Sequence, residues 1–342
     1  MEDEFSAKLG VIGVGGQGSN LINRLYSYGI KSAQTIAVNT DVKHLHMINA
    51  HKKILIGKEL TRGLGAGGFP EIGAKAAEVS RNEIEEAIKG YDMLFLAAGA
   101  GGGTGGGAAP VIAKIAKEQG CLVVAFVTYP FAIERSRKQK ADWTINQLSR
   151  NADTTIILEN DLLLSYAPNL QIEKAFELID SITANAVKGI ADTITLPSLI
   201  NLDFADVRAI LGNTGTAMIN IGSGSGSDKV EKAITSTLSH PLLNVERSGA
   251  KSALIQVNGS TSLTIGEATE VGEGVTSDMD AKANVIFGAR LSPEVHDQIK
   301  VVSILTGVKP RLGEVIYKSN ASNNTMDLSI ENIIWILVVI FW

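Results

Sequence analysis

A doubly wound, mostly parallel α/β sheet, then a long central helix and a second, smaller mixed α/β domain, is the fold this sequence predicts. Three observations carry it. Short apolar runs such as Met93–Ala97 and Leu122–Val127 read as strands buried on both faces. Several such runs pass through glycine-rich segments into stretches with three- and four-residue apolar spacing, which is the order of a βαβ unit. Between 171 and 191, Ala175, Phe176, Ile179, Ile182, Ala186, Val187 and Ile190 recur at helical steps on more than one side, as in a helix buried between two bodies. The chain has 342 residues, 45% of them hydrophobic, ample for two cores.

In chain order, Lys8–Ile12 is a first strand, Gly13–Gly18 a glycine turn, and Leu21, Ile22, Leu25 and Tyr28 mark a helix. The turn fits G-x-G-x-x-G, a weak dinucleotide fingerprint taken alone. Thr35–Val38 is a second strand ending at Asn39-Thr40-Asp41, where an acid would suit the ribose of a NAD enzyme. Residues 62–68 form a second glycine loop, and Pro70 opens a helix carrying Ala76, Val79, Ile84 and Ile88 that Gly90 closes. The run Ala98–Pro110, AGAGGGTGGGAAP, separates the strand 93–97 from a helix spaced over 111–117. Thr155–Leu158 is a further strand, Pro197 stops the central helix, and Phe204–Leu211 is a short helix. Gly222–Ser227 reads as a flexible loop. Strands over 217–221, 253–257, 285–289 and 301–306, with a helix over 230–238, complete the second domain.

Glycine turns between strand and helix aim bare backbone N–H groups and a helix N-terminus at one spot, which favours an anion, most often phosphate. Thr104 adds a hydroxyl. Three such loops in one half-chain exceed what a dinucleotide needs and suit a nucleoside triphosphate wrapped by backbone. No G-x-x-x-x-G-K-[ST] is present, which excludes a P-loop. The net charge of −5, without a long basic block, argues against sequence-independent nucleic-acid binding. The basic cluster Arg135, Arg137, Lys138 and Lys140 is either a solvated helix face or an edge facing phosphate. Cys121 is the only cysteine, so no intramolecular disulfide forms, and it reads as a small core residue. His44, His46 and His51 lack the partners of a zinc site and read as ordinary histidines. The acidic start, MEDEF, has no signal-peptide pattern, and a cytoplasmic protein is expected. The apolar run 333–342 is too short to span a bilayer.

GGGTGGGAAP resembles the signature of the tubulin/FtsZ family of GTPases, G-G-G-T-G-[ST]-G, with Gly106 where the family has Thr or Ser. The resemblance runs from about residue 8 to 313, lies on the FtsZ side of the family, and has an archaeal cast in ERSRK at 134–138. GVGGQGSN at 13–20, NTD at 39–41 and TRGLGAGGFPEIG at 61–73 are similar to its other phosphate loops, and NLDFADVR at 201–208 to its catalytic loop. It implies phosphate binding by Gly15, Gly16, Gln17, Asn20, Gly65, Ala66, Gly67, Gly68, Gly101, Gly102, Gly103, Thr104, Gly105 and Gly106. It implies ribose and base binding by Glu134, Lys138, Asn160, Phe176 and Asp180, and hydrolysis by Asn201, Asp203 and Asp206. The implied ligands are GTP or GDP with Mg2+ held through the phosphates. The implied organisation is a tail over 1–8, a GTP-binding domain over 9–170, a connecting helix over 171–196, a GTPase-activation domain over 197–316, and a linker with apolar tail over 317–342.

On the residues alone, Asp203 and Asp206 share one face at a helix start and read as charges favourable to the dipole. The resemblance implies instead that they enter the neighbouring subunit's pocket and orient the attacking water. Phe176 is open between a core residue and a base-stacking one; Asp180, one turn on, would accept from guanine N1–H and its exocyclic amine. Gly106→Thr is expected to change GTP affinity little. The reading is a GTPase that polymerises head to tail into the cell-division ring at mid-cell, with the apolar tail meeting an adaptor or membrane surface. Its alternatives are a NAD-dependent oxidoreductase and a non-hydrolysing filament scaffold.

Overall fold

The computed structural model describes residues 7–162, 171–196, 200, 203–239, 249–292 and 297–308. Ten strands form one sheet: β1 (Leu9–Val14), β2 (Gln34–Asn39), β3 (Lys52–Leu55), β4 (Met93–Gly99), β5 (Leu122–Tyr129), β6 (Thr154–Glu159), β7 (Gly215–Ser225), β8 (Ser252–Gly259), β9 (Asn284–Leu291) and β10 (Gln298–Thr306). Their order is β3-β2-β1-β4-β5-β6-β7-β10-β8-β9. From β3 to β6 every pairing is parallel. β7 joins β6 in parallel over three residue pairs, starting at Thr154 opposite Gly215. β10 then runs antiparallel to both β7 and β8, and β9 is parallel to β8. This is the doubly wound half with a mixed half beside it that the periodicities predict.

The helices are α1 (Gly15–Ser27), α2 (Val42–Met47), α3 (Lys58–Thr61), α4 (Pro70–Val79), α5 (Arg81–Ile88), α6 (Gly103–Glu118), α7 (Arg135–Asn151), α8 (Ile172–Thr195), α9 (Phe204–Leu211), α10 (Lys229–Ser239) and α11 (Ile265–Thr276). Two apolar cores cover the two faces of the sheet. One is closed by α4 to α7, α10 and α11, the other by α1, α2, α8 and α9. β1 and β4 are buried on both faces, as continuous apolar runs require. The central helix α8 buries Ala184, Ala186, Val187, Ile190 and Ala191. Its core also takes in Leu254, Val302 and Ile304 of the second half, so α8 is shared by both halves.

Three local expectations are corrected. The glycine run after β4 is a turn only over 100–102, and Gly103–Gly107 already lie in α6, while α1 begins at Gly15 directly after β1. Glycine is a poor helix former, but here close approach overrides propensity. A Cβ on Gly107 would lie 1.8 Å from the Pro70 carbonyl oxygen, and one on Gly103 2.7 Å from the Phe69 nitrogen. The helix opened by Pro70 breaks at Ser80 into α4 and α5, where the Ser80 hydroxyl accepts from Gly57 N–H, and Val79 is exposed. Gly222–Ser225 is strand rather than flexible loop. Its glycines let α10 lie against β7: a Cβ on Gly224 would meet the Lys229 carbonyl oxygen at 1.8 Å. Finally, α2, β3, α3 and α11 are not among the expected elements: the first three are only four to six residues long, whereas α11 carried a readable signal in its Thr264/Glu267 capping box and in Ala268, Val271, Gly272 and Val275 at helical steps. Pro197 and residues 309–342, including the apolar run 333–342, lie outside the described residues.

Candidate nucleotide site

The strand order reverses between β1 and β4, each of which feeds a helix on its own side of the sheet. In open α/β sheets the crevice beyond the strand C-termini at such a point is where ligands bind. α1 and α6 start there. Neither has a side-chain cap, and neither does α4, whose start at Phe69-Pro70 packs against Gly103. Caps are present on α2, α9 and α11, from Asp41, Asp203 and Thr264, and are absent also from α3, α5, α7 and α8, so it is the position of α1 and α6 at the crevice that singles them out. Uncapped N-termini leave N–H donors seeking an acceptor, and an anion supplies one.

The four loops are bonded to one another. Gly15, at φ +74°, lies so close to the signature helix that a Cβ would sit 2.7 Å from Gly105 N. The Thr40 and Thr104 hydroxyls lie 2.6 Å apart. Gly65 N–H donates to the Thr40 carbonyl at 3.1 Å, and Lys140 Nζ donates to the Gly68 carbonyl at 2.6 Å. Gly65, Gly67 and Gly68 all adopt positive φ, so this loop can turn its backbone only with glycine. Gly16 and Gly65 have open space over their Cα atoms, Asn20 is exposed, and Gln17 lies across Gly99. Ala66 and Gly101 are buried supports, with Gly101 against Arg137, while Gly102 is half-buried at the helix start.

Gly106 is the exception among the expected phosphate ligands. It faces away from the crevice, toward α7, where a Cβ would meet the Ala100 carbonyl oxygen at 2.7 Å and Thr144 Oγ1 at 2.8 Å. The Thr144 hydroxyl lies within bonding distance of the carbonyls of Ala100, Gly106 and Lys140. A side chain at 106 has no room, so Gly106→Thr would overpack α6 against Ala100 and Thr144, a cost in stability apart from the expected small change in GTP affinity.

At the other end of the crevice, Phe131 and Phe176 meet edge to face at 5.8 Å, and Phe176 is 41% exposed. Asn160 is buried with its Oδ1 unpartnered, as is Thr128 Oγ1. Burial pushes the Asp180 carboxyl up to about 7, against an opposing pull from Arg24 and a smaller push from Glu177. Glu134 accepts from Phe131 N–H and pairs with Arg137. Lys138 lies 3.8 Å from Asp161 and over the Tyr129 ring. Lys138 and Lys140 therefore pack against the loops, while Arg135 and Arg137 stand exposed on the α7 face. Asp41, placed where a NAD enzyme would bind ribose, instead caps α2 through His44 N–H.

The acids lie elsewhere. α9 leads into β7, whose first residue pairs with the first residue of β6, so α9 ends at the N-terminal edge of the parallel strands. Arg208 of α9 reaches the Gly120 carbonyl, beyond the end of α6. Asp203 caps α9 by accepting from Asp206 N–H at 2.8 Å, the dipole role read from the residues alone. Asp206 is half-buried, and Asn201 lies outside the described residues. No group of three or more His, Cys, Asp or Glu side chains suited to a metal occurs among the described residues. Sequence reasoning did not single out Thr40, Thr144 or Arg24. Only Thr40 carried a signal, its place inside NTD.

Fold and site together define a mononucleotide-binding protein of the doubly wound class. Residues 8–168 match the Tubulin/FtsZ family GTPase domain, and residues 215–309 the FtsZ family C-terminal domain. The chain is 54% identical over 313 residues to cell division protein FtsZ 2 of Methanocaldococcus jannaschii, covering 90% of this chain and 82% of that one. It is 49% identical over 307 residues to cell division protein FtsZ 1 of Thermococcus kodakarensis, again covering 90% and 82%. Its fold superposes on an empty M. jannaschii FtsZ dimer with a TM-score of 0.86 at 44% identity, covering 90% of each chain. The chain belongs to the tubulin/FtsZ family, on its FtsZ side and with high identity to archaeal members, and is a GTP-binding cytoskeletal protein of that type.

Proposed function

We propose that the chain hydrolyses GTP at a site completed only when two subunits stack head to tail, and that the resulting filament builds the division ring in the cytoplasm at mid-cell. In this reading the N–H groups at the starts of α1 and α6, with the loops at 65–68 and 101–105 and the Thr104 hydroxyl, hold the phosphates. Glu134 and Lys138 approach the ribose, Asn160 and Asp180 accept from the guanine edge, and Phe176 stacks on the base. Asp203, Asp206 and Asn201 come from the neighbouring subunit, and Asp206 orients the attacking water. Mg2+ arrives with the nucleotide and neutralises charge on its phosphates. The uncapped helix ends and glycine cradle fit such a ligand. A connecting helix over 171–196 separates the GTP-binding half, 9–170, from the activating half, 197–316, and residues 333–342 serve as the attachment to an adaptor or membrane surface.

The observation that supports a shared site is the placement of α9. The phosphate loops sit at the C-terminal edge of the parallel strands, while α9 ends at the N-terminal edge beside Gly120. The 16 residues of α6 run between those edges, a rise of about 24 Å. A subunit's own acids therefore lie far from its own γ-phosphate. A heterologous contact that brings one pole against the other propagates as an open filament. A M. jannaschii FtsZ dimer and a GTPγS-bound protofilament of CetZ2 from Haloferax volcanii, 25% identical with a TM-score of 0.76 over 88% of this chain and 93% of that one, are solved assemblies of similar chains.

The test is complementation. Asp206→Ala should bind GTP as the parent does and hydrolyse it at least tenfold more slowly. Asp180→Ala, used at a GTP concentration that leaves its pocket largely empty, should also be slow. Mixing the two should recover activity, because some junctions then join a good pocket to a good acid. No recovery on mixing, with both variants co-assembling, would remove the shared site.

A further inference from the structure

The hydrolytic reading makes no use of a charge pair at the N-terminal edge of the sheet. The Asp153 side chain is only 7% exposed, yet both its oxygens are engaged: Oδ2 accepts from Val123 N–H at 2.9 Å, and Oδ1 lies 3.1 Å from Lys117 Nζ. Its backbone carbonyl accepts from both Thr214 N–H at 2.9 Å and Gly215 N–H at 3.1 Å. Lys117 Nζ also donates to Asn213 Oδ1 at 2.9 Å, and Asn213 holds a left-handed φ of +54°. Thr154 adds its hydroxyl to the Leu211 carbonyl and to Thr214. Leu211, Asn213, Thr214 and Gly215, in the turn that closes α9, are thus tied to Lys117 of α6, to Thr154 of β6 and to Asp153, which is itself bonded to β5.

The Lys117 side chain is 35% exposed, so only the carboxylate of the pair is buried; such a pair contributes little net stability, because desolvation offsets the attraction, and its best-attested use is to fix one arrangement over others. Here the arrangement fixed is that of α9. Lys117 sits in the last turn of α6, whose first turn is the phosphate loop, and Asn213 follows directly on the helix that begins with Asp203 and Asp206. We propose that Lys117 and Asp153 form a latch that holds α9 against the far end of the phosphate helix, and so sets where a subunit presents Asp203 and Asp206 to its neighbour. They are positioning residues, and the proposal rests on the shared-site reading. One rigid helix then connects the phosphate a subunit binds to the acids it offers the next subunit.

The test uses the full chain with Lys117→Met, which keeps the stem and removes the charge, and with Lys117→Arg and Asp153→Asn. Amide hydrogen exchange on the nucleotide-free monomer reads the latch itself, wherever catalysis occurs. Lys117→Met should raise exchange over 203–215 at least tenfold and leave β1 and β4 unchanged. In the assembled protein kcat should fall about tenfold with KM and GTP affinity within twofold, and Lys117→Arg should restore most of it. Mixing Lys117→Met with Asp180→Ala should recover activity, and mixing it with Asp206→Ala should not. Unchanged exchange over 203–215, or exchange that rises equally through β4, β5 and β6, overturns the latch. Asp206→Ala run alongside separates the two ideas: if it hydrolyses normally the acid assignment falls, while the exchange result still decides the latch.

Discussion

In the proposed guanine site, Asp180 would link recognition to pH. Its carboxyl is raised to about 7, chiefly by burial. In the unfolded chain it would ionise near 3.8, so between those values the folded state binds the extra proton. Stability from this group is therefore greatest below pH 4 and is lost as pH rises toward 7. Guanine binding runs the other way, because N1–H and the exocyclic amine need an ionised acceptor. GTP affinity should rise up to tenfold per pH unit below about 7 and level off above it. Asp180→Asn should bind more weakly and flatten that profile, as isothermal titration at pH 6, 7 and 8 would show; a parent profile already flat over that range removes the assignment. Gly106 carries the second residue-scale expectation. Gly106→Thr forces its Cβ against Ala100 and Thr144, an overpacking that costs about 1–3 kcal/mol. Urea unfolding should detect the loss, and adding Thr144→Ala should return part of it. The sequence made the phosphate loops legible because glycine, Thr104 and their order carry the chemistry directly. It hid the outward face of Gly106, since only the packing of α7 on α6 decides which way a helical glycine points.

At the scale of elements, strands that are apolar throughout were readable, and so was the long central helix, because burial on both sides leaves no polar interruption. Glycine misled twice, and for one physical reason. Composition gives it the meaning of turn or linker, yet in α6 and β7 it marks places where one backbone must approach another within side-chain distance. Gly224 tests this. Its Cβ would lie 1.8 Å from the Lys229 carbonyl oxygen and 2.6 Å from Ala233 N. Gly224→Ala should therefore push α10 off β7 and destabilise the second half by about 1–3 kcal/mol. GTP binding to the monomer should be unaffected, since Gly224 lies at the far end of β7 from the three pairs that join this strand to β6. A Gly224→Ala protein with the parent's denaturation midpoint would restore the flexible-loop reading.

On the scale of the whole molecule the question is why a nucleotide-binding domain should carry its acids on the wrong side. α8 has 24 residues and a rise of about 36 Å, and the chain follows it from the nucleotide end to the opposite edge before it reaches Asp203. This separation was legible only as chain length: the sequence placed a helix between loops and acids but not the edge on which α9 lands. That edge is decided by β7 pairing with β6 and by the contacts of Arg208 and Asn213 with the end of α6. On the proposed reading, separation of pocket from acids makes hydrolysis depend on assembly. Binding needs one subunit, so nucleotide affinity should be independent of protein concentration. Turnover needs a junction, so specific activity should be near zero in dilute solution, rise through the assembly threshold, and level off when nearly every pocket is covered. The loss in Asp206→Ala should appear in kcat rather than in binding, because water orientation and charge placement act on the transition state. Its filaments should also outlast the parent's, since they keep GTP at their junctions. Measuring phosphate release and light scattering together over a dilution series checks both halves of this expectation. Specific activity that stays flat down to dilutions where no filaments scatter light would mean that a single subunit holds all it needs.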